Sequence, residues 1–131
     1  MTIQQKQDIV VFVYGSLMTG KINHRLLSAA VFLGTAISQP LYTLFHAGPW
    51  PAVVTGGTTA IHGELYRISL QLRLSLDRFE GHPTLFRRRT IVLDDGQQAD
   101  AWLLEAAPDT SWPIIPSGTW ATESPPDAKR G

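Results

Sequence analysis

Ile9-Val10-Val11-Phe12-Val13-Tyr14-Gly15-Ser16-Leu17 is the stretch on which the fold turns. Its first six residues are β-branched or aromatic and carry no charge. A strand with one wet face alternates apolar and polar residues. A continuous apolar run is covered on both faces. Residues 9–14 therefore read as the central, buried strand of a sheet. Gly15 ends the run, and Gly15-Ser16-Leu17-Met18-Thr19-Gly20 is a strand-to-loop break framed by two glycines.

Working outward, Lys21–Ala30 is predicted as a short helix with Leu26, Leu27 and Ala30 on its apolar side. Val31–Phe45 mixes strand and turn signals, interrupted by Gly34 and Pro40, and His46–Trp50 is turn-rich. Ala52-Val53-Val54, Thr55-Gly56-Gly57 and Thr58–Ile68 read as a hairpin turning at Gly-Gly. Leu70–Glu80 fits two periods. Leu70, Leu72, Leu74 and Leu76 alternate as in a strand, while Leu72, Leu76 and Phe79 form a helix stripe. Helix is preferred, because Ser69 is a good N-cap, the leucines, glutamine and arginines favour helix, and Gly81 with Pro83 makes a stop. Leu85–Leu93 and Gln98–Glu105 are strands about Asp94-Asp95-Gly96. Beyond Ala106 prolines break any regular element, yet Trp112 and Trp120 argue for packing as far as Trp120. The expectation is one α+β domain over 1–120, a mixed β-barrel or sheet of about six or seven strands with two short helices. Residues 121–131 are expected to form a disordered tail.

Composition narrows the function classes. The chain has 131 residues, a hydrophobic fraction of 44%, no cysteine and zero formal net charge. It is long enough to bury roughly two-thirds of its unfolded surface. Without cysteine there is no disulfide framework, no CxxC zinc site and no thiol nucleophile. The four histidines, His24, His46, His62 and His82, show no metal-ligand spacing; His82 is read as a lone exposed side chain or as part of a pocket rim. Neutral charge speaks against nucleic acid as the main partner. The one basic run is Arg87-Arg88-Arg89. On a strand, Arg88 faces opposite to its neighbours. The run is either a solvated edge with one arginine paired to an acid, or an anion clamp. The polar start, Met1–Asp8, does not read as a signal peptide, and no apolar run approaches the roughly 20 residues that span a bilayer. A cytoplasmic location is the simplest expectation, and oligomeric state is not legible.

The motifs carry a resemblance. Val11–Leu17 looks like the opening strand and Tyr-Gly-Ser/Thr-Leu loop of the γ-glutamylcyclotransferase-like proteins, which include γ-glutamylamine cyclotransferases and AIG2-like proteins. Gly63-Glu64-Leu65-Tyr66-Arg67-Ile68 resembles their central strand. Leu76-Asp77-Arg78-Phe79-Glu80-Gly81 resembles the end of their catalytic helix. Phe86-Arg87-Arg88 is similar to a Tyr-Arg-Arg strand, with phenylalanine in place of the usual tyrosine. Pro116-Ser117-Gly118-Thr119-Trp120 resembles a block near the end of several members. The loop lacks the asparagine that follows serine in the larger enzymes, so the chain resembles the compact amine-type branch.

The resemblance implies a reaction: a small γ-glutamyl amine or amino acid closes on itself, releasing 5-oxoproline and a free amine. Such a ring closure asks an enzyme to hold geometry and move protons, and it implies no metal or other cofactor. Glu80 is the implied general acid/base, at a helix end whose carbonyls favour the protonated carboxyl, while Arg87 or Arg88 would favour the ionised form. Tyr14, Gly15, Ser16 and Leu17 are the implied substrate loop, whose backbone N–H groups suit an α-carboxylate. Asp77 reads as a salt-bridge or orienting partner, and Asn23 as a loop or cap residue. Trp50, Phe86 and Trp120 are candidates to line the pocket. Two other readings share the fold: a small-metabolite binding domain without turnover, and an interaction module.

Overall fold

A computed structural model describes residues 9–121. Seven strands and one α-helix follow in order: β1 (Ile9–Val13), β2 (Val31–Ile37), β3 (Tyr42–Ala47), β4 (Trp50–Thr55), β5 (His62–Ile68), α1 (Leu70–Glu80), β6 (Phe86–Val92) and β7 (Gln98–Leu104). Five strands form a mixed sheet in the order β2-β5-β1-β7-β6, and β3 and β4 form a separate hairpin.

The run of apolar residues in β1 is central, as its continuity predicts. It pairs antiparallel with β5, Phe12 opposite Leu65, and parallel with β7. Successive side chains enter opposite layers. Val11 and Val13 join a core with Leu76, Phe86 and Trp102, against which Leu72 and Phe79 of α1 also pack. Phe12 and Tyr14 join a second core with Tyr42 and Leu44 of β3 and Val53 of β4. So α1 covers one face and the β3–β4 hairpin covers the other.

Helix α1 forms between the predicted signals. The Ser69 hydroxyl accepts from the Leu72 N–H at 3.1 Å. Gly81 ends the helix at φ 72°, a left-handed conformation that glycine enters without a Cβ clash. The β6–β7 hairpin also forms about the Asp-Gly turn, with Arg88 opposite Trp102.

Three expectations are corrected. The sheet is not a closed barrel: its edges meet after β2 and β6 at one isolated bridge, Ser38 to Leu93. Among the described residues there is one α-helix, and Lys21–Ala30 yields only a 3-10 turn at His24–Leu27. Here loop hydrogen bonds such as the Asn23 N–H to the Ser16 carbonyl, 2.9 Å, compete with helix formation. Third, β4 pairs with β3 around Gly48-Pro49 and not with β5. Gly56-Gly57 is a crossing point. A Cβ on Gly57 would lie 2.2 Å from Thr43 Oγ1 and 2.6 Å from the Tyr42 carbonyl.

The proline-rich end packs back, as its tryptophans suggest. The Ile115 N–H donates to the Leu44 carbonyl at 2.8 Å, and Trp120 is buried. Of the predicted tail, residues 122–131 lie outside the described residues.

Candidate functional site

Glu80 is the last residue of α1 and is wholly buried. The helix stripe places it there: Leu76 and Asp77, one turn earlier, are buried on the same side. Charged residues are almost never fully buried without a reason, and among the described residues Glu80 is the one charged residue with no exposure.

Tyr14, Gly15, Ser16 and Leu17 leave β1 as a tight, buried loop. Its shape is held from within and from behind. The Met18 N–H donates to the Gly15 carbonyl at 3.0 Å. The Asn23 side chain donates to Ser16 Oγ at 3.0 Å, and His24 Nδ1 lies 2.9 Å from the Leu17 carbonyl oxygen. Asn23, read from sequence as structural, thus supports the loop directly.

The loop and the end of α1 come together. Leu17 shares one core with Leu76, Phe86 and Trp102. The Tyr14 phenol is held well above its ordinary value, first by burial and then by the nearby Glu80 charge; a hydrogen bond with the Val53 backbone works the other way. Tyr14 therefore stays protonated, and its hydroxyl donates to the Trp102 carbonyl at 2.8 Å.

Asp77 is a partnered acid, consistent with an orienting role. One oxygen accepts the Trp102 indole N–H at 2.9 Å, and the other pairs with Arg88. The basic run divides as strand geometry requires. Arg88 turns inward to Asp77, while Arg87 and Arg89 both reach Glu105, at 3.5 Å and 3.0 Å. His82 is not a lone exposed histidine: it is half-buried, and its Nδ1 accepts the Arg88 backbone N–H at 3.0 Å.

The three pocket candidates differ. Phe86 is wholly buried in the core, Trp50 packs at the edge of the same core, and buried Trp120 sits against His46 with ring centroids 4.9 Å apart.

A group that sequence reading left without a role lies beside the loop. Glu64 Oε1 accepts from the Thr19 N–H at 2.8 Å, from the Thr19 hydroxyl at 3.1 Å and from the Tyr66 hydroxyl at 2.8 Å. This carboxylate on β5 anchors the far end of the loop. Its neighbour Gly63 leaves no space for a side chain, since a Cβ there would lie 2.4 Å from the Val13 carbonyl oxygen. A glycine inside a strand was a readable sign of such an approach; the reach of Glu64 to Thr19, across 45 positions, had no local sign.

This architecture, a mixed sheet of strands with one helix packed on it, is that of the cyclotransferase-like α+β proteins. The crystal structure of a mouse AIG2-like protein superposes with a TM-score of 0.80 at 23% identity, over 95% of this chain and 96% of that one. The sequence goes further. The family model for γ-glutamyl cyclotransferase, AIG2-like, matches residues 11–122, and the chain belongs to that family. A putative γ-glutamylcyclotransferase of Vibrio cholerae is 34% identical over 112 residues, 85% of this chain and 94% of the relative. The γ-glutamylaminecyclotransferase of Homo sapiens is 34% identical over 98 residues, 66% of this chain and 64% of the relative. Among the described residues no helix is long and apolar enough to cross a membrane.

Proposed function

We propose that the protein is a γ-glutamyl cyclotransferase that releases 5-oxoproline and a free amine from a small γ-glutamyl amine or γ-glutamyl amino acid. The observation that carries this reading is the wholly buried carboxylate of Glu80, close enough to Tyr14 for its charge to act on the phenol at the start of the loop.

The loop 14–17 binds the substrate's α-carboxylate through backbone N–H groups, and Gly15 leaves room for the approach. Glu80 takes a proton from the α-ammonium group. The freed amine attacks the γ-carbonyl carbon, a carbon–nitrogen bond forms, and the bond to the leaving amine breaks. The same carboxyl returns the proton to the departing nitrogen and then takes the second proton from the new ring nitrogen, which passes to the released amine, so one group serves every proton transfer. Because attacking and leaving atoms belong to one molecule, positioning supplies much of the rate. The tie between the loop and α1 through Trp102 supports such a fixed geometry.

The test is 5-oxoproline release from a panel of γ-glutamyl amines, γ-glutamyl amino acids and γ-glutamyl-ε-lysine. Turnover of at least one member is expected. Folded protein inert on the whole panel would favour a metabolite-binding domain of the same fold.

A further inference from the structure

A cavity of about 240 Å³ opens beside the loop, with Met18, Thr35, Ile37, His62, Glu64 and Thr119 among its lining residues. Two of its lining residues are chain neighbours of the proposed substrate site. Met18 follows Leu17 directly, and Thr119 precedes Trp120, a candidate pocket residue. The β2–β5 register supplies its floor, setting Thr35 opposite Glu64 and Ile37 opposite His62.

The lining is electrically one-sided. Glu64 is its only acid, it holds no lysine or arginine, and His62 is its other titratable group. Three hydrogen bonds hold the Glu64 carboxylate still, and all three end on Oε1. An ionised carboxylate accepts on both oxygens, so Oε2 is the atom available to a guest. An apolar or anionic guest would strip water from this carboxylate and offer nothing in return, whereas an ammonium or guanidinium group replaces that water with a charge-assisted hydrogen bond.

We propose that this cavity is a subsite for a positively charged group on the amine half of the substrate, with Glu64 as its counter-ion. The assignment rests on the cyclotransferase reading above. It gives Glu64 two separable roles: Oε1 anchors Thr19, and the negative charge selects the leaving amine.

The separation supplies the test. Glu64→Gln keeps an oxygen for Thr19 and Tyr66 but removes the charge. Two substrates of equal length are compared, γ-glutamyl cadaverine, which ends in an ammonium group, and γ-glutamyl pentylamide, which ends in a methyl group. Wild type is expected to favour the cationic substrate about tenfold in kcat/KM, mainly through KM, as a hydrogen bond to a charged group allows. In Glu64→Gln the ratio falls to near one. Equal use of both substrates by wild type, or a preference that survives Glu64→Gln, overturns the assignment. A readout without turnover runs in parallel. The Thr19 amide bonds to the same carboxylate, so its NMR shift is followed while pentylammonium or pentanol is added. A shift with pentylammonium only, lost in Glu64→Gln, upholds the subsite, and no shift overturns it. If neither substrate reacts, the full panel above decides the cyclotransferase reading, and the Thr19 shift separately decides what the cavity binds.

Discussion

The Tyr14 hydroxyl donates to the Trp102 carbonyl at 2.8 Å, joining residues 88 positions apart. The same tryptophan donates its indole N–H to Asp77, one turn before Glu80. A single residue of β7 therefore binds the first residue of the loop through its backbone and the C-terminal end of α1 through its side chain. Two segments distant in sequence are held against each other through one residue of β7.

The Tyr14 phenol predicts an alkaline limit to stability. Its ordinary value is 10.0, and burial first, with the Glu80 charge second, raises it well above that in the folded protein. Tyr66 is raised from the same value, again first by burial. Below pH 10 both states are protonated and the contribution is fully present. Above it the unfolded chain ionises first, so stability falls as pH rises toward the folded values. The urea midpoint should drop as pH rises above about 10, and Tyr14→Phe should flatten that drop. An unchanged slope in Tyr14→Phe would remove Tyr14 as its source.

Asp77 predicts a graded loss. Asp77→Ala strands the Trp102 indole N–H and leaves the inward-facing Arg88 only its longer contact with Asp100, 4.0 Å, and should cost about 3 kcal/mol in urea unfolding. Asp77→Asn keeps an acceptor for the indole and loses only the ion pair, so roughly half of that cost is expected. Equal losses in the two variants would show that the whole cost lies in the ion pair with Arg88 and that the indole hydrogen bond contributes nothing.

Gly63 predicts a packing failure next to the loop. An alanine Cβ would lie 2.4 Å from the Val13 carbonyl oxygen and 2.7 Å from the Phe12 ring. Gly63→Ala should destabilise by about 2–3 kcal/mol as the strands move apart. Gly20→Ala is the control: Gly20 has a φ of 81° but nothing near its Cβ position, so only the backbone cost of about 1 kcal/mol is expected. Thermal melts of both variants check the order, and a larger loss at Gly20 would contradict it.

How much of this was legible depends on how local each signal is. Strand β1 was readable because burial on both faces demands an unbroken apolar run, and α1 because Ser69 and Gly81 bracket it. The full burial of Glu80 had no sign in the periodicity, which favours an exposed helix-end acid; only the Phe-Glu-Gly resemblance singled this residue out. Gly56-Gly57 misled because positive φ serves a crossing chain as well as a hairpin turn, and nothing near it in sequence shows that Tyr42 and Thr43 will lie against it. The leucines of Lys21–Ala30 suggest a short helix, but Asn23 and His24 are spent on fastening Ser16 and Leu17. Barrel closure failed as an expectation because strand count does not fix whether β2 and β6 pair along their length. The Glu64–Thr19 anchor exists only once β5 lies beside β1.

The most direct test of the central claim is 5-oxoproline release by wild type and by Glu80→Gln on the best substrate of the panel, with circular dichroism run on both. Glutamine keeps the size of the side chain and cannot take the proton. A loss of at least about a hundredfold in kcat with unchanged fold is the predicted result, in line with the usual worth of a general acid/base. Wild-type turnover that survives in Glu80→Gln would contradict the account and move the proton transfer to another group.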